Sequence, residues 1–256
     1  SRRHVLSAHR DSFPPMQEAH FDLTTADGDM PTWVIHPDGG GPHPVVLFLM
    51  DAPGMRQEIR DMASRLATAG YYVMTSQLYY RDVREFNVFE TGDRERMFEL
   101  MNNLSLAMVD ADNGALIDHA RNDAAADATR VGVVGYCMSG PFAVSTAAAH
   151  NDVVKSAASF HGVRLVTDAA DSPHRALERF DGEVYIGAAE TDDWAPPEMI
   201  DAFAAALDAS PAGGRCEWYP GTFHGFAYAE REQYDRAASE RHWERLHDLF
   251  ARTLQV

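Results

Sequence analysis

A chain of 256 residues that is 45% hydrophobic can bury a sizeable core, and its simplest organisation is one domain over 1–256. Its formal charge of −17, from 39 acidic against 22 basic side chains, argues against nucleic acid or an anionic membrane as partner, because neutralising phosphates takes clustered Lys and Arg. With Cys137 and Cys216 the only cysteines, a disulfide framework and a CxxC metal pair are both excluded.

The longest apolar run, Val45 to Met50, is far shorter than the roughly 20 residues that cross a bilayer, and the basic opening SRRHVLSAHR has no signal-peptide core. A cytoplasmic protein is expected. Residues 1–18 read as an extended N-terminal arm. HFDLTTADGDMPTWVIHP then reads as two strands around a turn at Ala26, Asp27 and Gly28. The triple glycine in PDGGGPHP leads into a strand, PVVLFLMD, and so reads as a connection and not as a phosphate cradle. Ile59, Met62, Ala63, Leu66 and Ala67 fall at helical spacing, with Gly70 as the C-terminal cap, and YYVMTS follows as a buried strand. The stretch 82–125 contains a polar loop and two predicted helices, a long crossover placed to cover a pocket, and Ala124 to Ala126 read as a helix terminus. Strand VGVVGY, helix from Ser139, strands SAASFHG and GEVYIGAAE, helix PPEMIDAFAAALDA, strand CEWYPG and a last helix from about Gln233 to Leu254 complete the chain. Strands alternating with helices predict an α/β fold with a mainly parallel central sheet and helices on both faces.

The junction GYCMSG carries the chemistry. A strand turning sharply into a helix needs small residues two positions either side of its central residue, and Gly135 and Ser139 flank Cys137 in that way. Such an elbow holds the Cys137 thiol out at the sheet's C-terminal edge, with the backbone N–H of Met138 aimed where an oxyanion would form and a helix N-terminus favouring thiolate. Centring the elbow on Ser139 instead would put Cys137 and Pro141 in the tight positions, where proline fits poorly. Cys216, inside a strand, reads as a small buried hydrophobe. A nucleophile in this setting is served by a histidine that a carboxylate orients, in the chain order nucleophile, acid, histidine. Of the 12 histidines only His224, in GTFHGFA, follows the last strand and precedes the last helix. His161, closing SAASFHG, reads as pocket lining. The acid comes from TDDWAPP, where position alone leaves Asp192 and Asp193 equal.

Taken together and in order, GYCMSG, MDAPGMRQEIRDMASRLATAGYYVMTSQLYYR, TDDWAP and GTFHGFA resemble the dienelactone hydrolase family of α/β-hydrolases, over about Phe21 to Phe250. The resemblance implies the α/β-hydrolase fold, Cys137 as nucleophile, His224 as general base and Asp192, four residues before Pro196, as its orienter. It further implies an oxyanion hole from the N–H groups of Met138 and Ala52, and Asp51 as partner of the resting thiol, where the family carries a glutamate. Where the family has a substrate-gripping arginine four residues after the histidine, this chain has Tyr228. Arg81, Arg94 and Arg96 are then the candidates for contact with an acidic substrate, and His161 and Tyr228 are further substrate-binding candidates. The expected activity is hydrolysis of a small-molecule carboxylic ester or lactone through a thioester acyl-enzyme, with no cofactor and no metal, by a monomer or small homo-oligomer. The alternatives are acyl transfer or another bond specificity on the same fold, and a catalytically silent ligand-binding protein.

Overall fold

The computed structural model describes residues 15–255. Residues 1–14 of the expected N-terminal arm lie outside them, and Met16 already belongs to the first strand, β1 (Met16–Thr25). β1 turns through Ala26 and Asp27 into β2 (Gly28–Pro37), antiparallel, with Thr25 opposite Gly28 and Gly28 at φ +132°. Glycine tolerates that backbone where a side chain would not.

β3 (His43–Phe48), α1 (Gln57–Ala67) and β4 (Tyr72–Ser76) follow as expected, with Ile59, Met62, Ala63, Leu66 and Ala67 forming the buried stripe of α1. The crossover differs from its sequence reading in holding three helices where two were expected. These are α2 (Val88–Thr91), α3 (Arg94–Asn103) and α4 (Leu106–Arg121). Polar caps divide them: the side chains of Asn87, Asp93 and Ser105 accept from the N–H groups of Phe89, Arg96 and Met108, and Gly92 closes α2 at φ +69°. Ala124 to Ala126 do not end a helix. Asn122 caps α4, and Asp123 turns the chain by accepting from the Ala125 N–H, so that Ala126 opens β5 (Ala126–Tyr136).

A single turn over Cys137–Ser139 links β5 to α5 (Gly140–Ala149). Then come β6 (Val154–Phe160), the short α6 (Pro173–Ala176), β7 (Glu183–Thr191), α7 (Pro197–Asp208), β8 (Gly213–Phe223) and α8 (Arg236–Leu254). β8 extends well beyond CEWYPG because it pairs with β7 along most of its length. α8 begins later than Gln233 because Asp235 is its cap, accepting from the Ala238 N–H.

Among the described residues the eight strands form one sheet in the order β1-β2-β4-β3-β5-β6-β7-β8, antiparallel at β1–β2 and β2–β4 and parallel from β4 onward. α1 and α8 pack together through the Arg65–Glu240 pair at 2.7 Å and the Arg65 guanidinium 4.6 Å over the Trp243 ring. α4 and α5 join through Asn113 to Thr146 at 2.8 Å and Ser145 to Asp110 at 2.6 Å. A Cβ on Gly132 would run into Phe250 and Leu254 of α8, so the neighbouring Val131 and Val133 point to the opposite face, toward the layer of α4 and α5. This two-sided burial leaves the C-terminal ends of the parallel strands as the open edge, where Cys137, Asp192 and His224 all emerge.

Candidate active site

Cys137 has φ +54°, a left-handed backbone rare for a residue with a side chain, and it is partly exposed. The tight flank is real: a Cβ at Gly135 would collide with the Ser139 carbonyl, and one at Gly140 with Ser159 and Gly162. Ser139 is fully buried. Its Oγ accepts from the Tyr136 N–H at 2.8 Å and donates to the Tyr136 carbonyl at 3.0 Å, so the hydroxyl locks the turn and faces away from the cavity. Pro141 occupies the start of α5, where its missing N–H costs nothing. The loop after β6 is stitched to the elbow by the Val163 N–H, which donates to the Cys137 carbonyl at 3.1 Å.

At the end of β7 the Asp192 side chain is fully buried. Its Oδ2 accepts from His224 Nδ1 at 2.7 Å, and its Oδ1 accepts from the Trp194 N–H at 2.9 Å. Asp193, the equal choice on position alone, lines the cavity and does not meet the imidazole. With Nδ1 committed to Asp192, Nε2 is the nitrogen left for the thiol. Burial pulls the His224 imidazole toward neutrality, but hydrogen bonds to Asp192 and to Cys137, with the charges of both, outweigh it and push its pKa up to about 10.

The loop after β3 is held on every side. Gly54 lies at φ +100°, and a Cβ there would strike the Phe86 carbonyl. Tyr79 Oη donates to the Ala52 carbonyl at 2.8 Å, and the Val88 N–H donates to the Pro53 carbonyl at 2.9 Å. Asp51 is 0% exposed and was expected to face the thiol; its carboxylate instead accepts from Arg56 through both oxygens and from Arg231 Nη2 at 2.8 Å. A charge buried that deeply needs a counter-charge, and two guanidiniums supply it. Burial disfavours the Arg56 cation, yet Asp51 holds its pKa above the ordinary arginine range.

Over Cys137 lies a cavity of about 320 Å³, lined by Cys137, Ala52 and His224 together with Phe89, Met97, Phe98 and Trp194. α2 contributes Phe89 to that lining, and α3 contributes Met97 and Phe98. Of the expected arginines only Arg94 lines it. Arg81 is clasped by Asp112 at 2.8 Å and by Asp27 in the β1–β2 turn, and Arg96 pairs with Glu99 one turn along α3, so neither reaches the cavity. Tyr228 is also displaced from its expected place. It is 0% exposed beneath the guanidiniums of Arg56 and Arg231, 5.0 and 5.7 Å from its ring centre. Arg231, three residues further on, lines the cavity in its stead, and Arg164 does so from the loop after β6. Both escaped the sequence reading; an arginine in the loop beyond the His224 motif was the available signal for the first. His161 does not line the cavity. It is buried at φ +39°, with its ring edge-on to that of His224 at 5.1 Å, and burial followed by the neighbouring His224 charge holds it well below the ordinary histidine pKa. A neutral ring therefore braces His224. Among the described residues no His, Cys, Asp and Glu cluster could hold a metal ion, and no helix is long and apolar enough to cross a membrane.

An eight-stranded, mostly parallel sheet with a left-handed cysteine at the β5–α5 turn and a histidine–aspartate pair on the β8 and β7 loops defines the α/β-hydrolase class. The chain belongs to the dienelactone hydrolase family, whose model matches residues 30–254. It is 30% identical over 232 residues to a Methylorubrum extorquens protein named provisionally as a carboxymethylenebutenolidase, covering 88% of this chain and 77% of that one. To the carboxymethylenebutenolidase of Rhodococcus opacus it is 26% identical over 255 residues, covering 97% and 98%. The crystal structure of a Klebsiella pneumoniae protein, named provisionally as a dienelactone hydrolase, superimposes with a TM-score of 0.84 at 25% identity over 93% of this chain and 99% of that one.

Proposed function

We propose that this protein hydrolyses a carboxylic ester or lactone through Cys137, with His224 as acid–base and Asp192 as its orienter. The observation that carries the reading is the Asp192–His224 hydrogen bond, with His224 and a left-handed cysteine lining the same cavity. His224 takes the thiol proton, and the thiolate attacks the carbonyl carbon to form a C–S bond. The N–H groups of Met138 and Ala52 are the candidate donors to the oxyanion, and the rigid loop around Ala52 supports that role by removing reorganisation at the moment of reaction. Collapse breaks the C–O bond, and the departing alkoxide takes the proton from His224. His224, neutral again, then deprotonates a water that attacks the thioester; the acid leaves and the thiol is restored. Arg94 and Arg231 at the cavity favour a substrate carrying negative charge near its reacting carbonyl.

Cys137→Ala should lower kcat/KM for small aryl esters by at least about a thousandfold, measured beside the wild type on aryl esters and lactones. Undiminished turnover by the variant would remove Cys137 from the reaction. The same assay with added alcohols or amines separates hydrolysis from transfer to another acceptor.

A further inference from the structure

A second chamber of about 210 Å³ adjoins the cavity over Cys137. Met101, Val163 and Arg164 line both, so the two share a wall. The rest of the second chamber has an apolar part, formed by Leu104, Leu106, Met138, Pro141, Phe142 and Pro173, and a polar part, formed by Ser105, Thr167, Asp171 and Ser172; neither Cys137 nor His224 reaches it. We propose that this chamber is an acyl-chain subsite, taking the aliphatic chain of a medium-length carboxylic acid while its carbonyl sits at Cys137. The proposal rests on the hydrolase reading above.

The direction follows from proton transfer. The leaving oxygen must lie within reach of His224, so the alcohol half of an ester occupies the side where Asp193 and Trp194 line the cavity. The acyl carbon is bonded to Cys137 with its oxygen toward the Met138 N–H, and the remaining substituent points away from His224. Met138 lines only the second chamber, which therefore stands on the acyl side. Met101, an unbranched side chain with several rotatable bonds, forms a wall that yields to a chain. Arg164 Nη2, donating to Asn102 Oδ1 of α3 at 3.1 Å, ties the two sides of that wall together. An apolar cavity of roughly 150 Å³ accepts benzene, so this one holds a chain of about six carbons.

The test is a p-nitrophenyl ester series from acetate to octanoate on the wild type, Leu106→Trp and Leu106→Ala. Leu106 is half-buried at the first turn of α4. For the wild type, kcat/KM should rise about fourfold per methylene at best, and at least about tenfold from acetate to hexanoate. Leu106→Trp should cut the hexanoate-to-acetate ratio by about tenfold, and Leu106→Ala should move the optimum to longer acyl chains. A parallel series of acetates with lengthening alcohols should keep its length dependence in both variants. A flat acyl series with Cys137-dependent turnover of acetate would overturn the subsite and leave the hydrolase intact. A length effect confined to the alcohol series would overturn it equally. Calorimetry with hexanamide and acetamide reads the chamber without chemistry: tighter hexanamide binding that Leu106→Trp weakens supports the subsite even if no ester is cleaved, and equal binding overturns it.

Discussion

Against burial, one hydrogen bond leads the influences that set the protonation state on which the proposed chemistry turns, with Cys137 and the charges of both partners adding to it. Asp192 Oδ2 accepts from His224 Nδ1 at 2.7 Å, and that bond is the largest influence raising the imidazole against its burial. Because the pKa is raised, the imidazolium persists through neutral pH and is lost only as pH rises through about 10. For an alkyl ester, whose leaving alkoxide needs a proton, kcat/KM should therefore hold through neutral pH and decline near pH 10. A p-nitrophenyl ester, with its stable leaving group, should show a weaker decline. Asp192→Asn should move the alkyl-ester limb toward the ordinary histidine value of about 6.5 and lower kcat on the order of 10²- to 10⁴-fold. A limb that stays in place in the variant would separate Asp192 from the titration. At this scale much of the site was legible: a lone cysteine between small residues at a strand end needs the left-handed turn the structure shows. Asp192 against Asp193 was not legible from the residues, since adjacent side chains differ only in the direction the chain takes as it leaves β7.

Between strands and helices, the loop from Asp51 to Arg56 is the element that supports the proposed oxyanion donor at Ala52. Arg56 binds Asp51 at one end of the loop and donates to the Gly54 carbonyl at 3.0 Å, so the ion pair closes the loop on itself. Asp51→Ala would leave Arg56, 4% exposed, with its principal counter-charge removed. The expected cost is about 3–5 kcal/mol, seen as a fall in the denaturation midpoint with an unchanged slope. Gly54→Ala attacks the same loop through its backbone, and it should lower kcat further than it raises KM if the loop sets oxyanion geometry. The helices of the crossover show why element boundaries were harder to read than element types. Asn87, Asp93 and Ser105 each cap a helix in the folded chain, and whether such a residue breaks a helix depends on which face the next segment buries against the sheet.

Across the whole molecule, contacts between distant segments place the positive side chains at the cavity. Arg231 reaches Asp51 across 180 positions, and the Glu230 N–H donates to Glu58 Oε1 across 172. Burial, with the hydrogen bond to Glu230 and its charge, pushes the Glu58 carboxyl up to about 7. A folded-state pKa above the ordinary value means that folding favours the protonated acid. That contribution is complete below about pH 4.5 and is lost as pH rises through 7. Glu58→Gln, which cannot ionise, should match the wild type in Tm at pH 4.5 and exceed it by about 2–4 °C at pH 8, a modest gain because the charge of Arg56 partly offsets the cost of ionising Glu58. An equal Tm at pH 8 would show that the carboxyl pair carries no strain.

What the amino-acid order determined by itself was whatever depends on neighbours along the chain: the periods of two and 3.6 that make strands and helices, the small residues around Cys137, and the loop motif around His224. What only the tertiary structure decided was where long side chains end. Arg81 read as a candidate for contact with an acidic substrate, and folding gives it to Asp112 and Asp27; Arg231 and Arg164 went unremarked, and folding brings them to the cavity. The physical reason is reach: a guanidinium lies several bonds from its backbone, and the carboxylate that claims it belongs to whichever distant element the sheet order brings alongside.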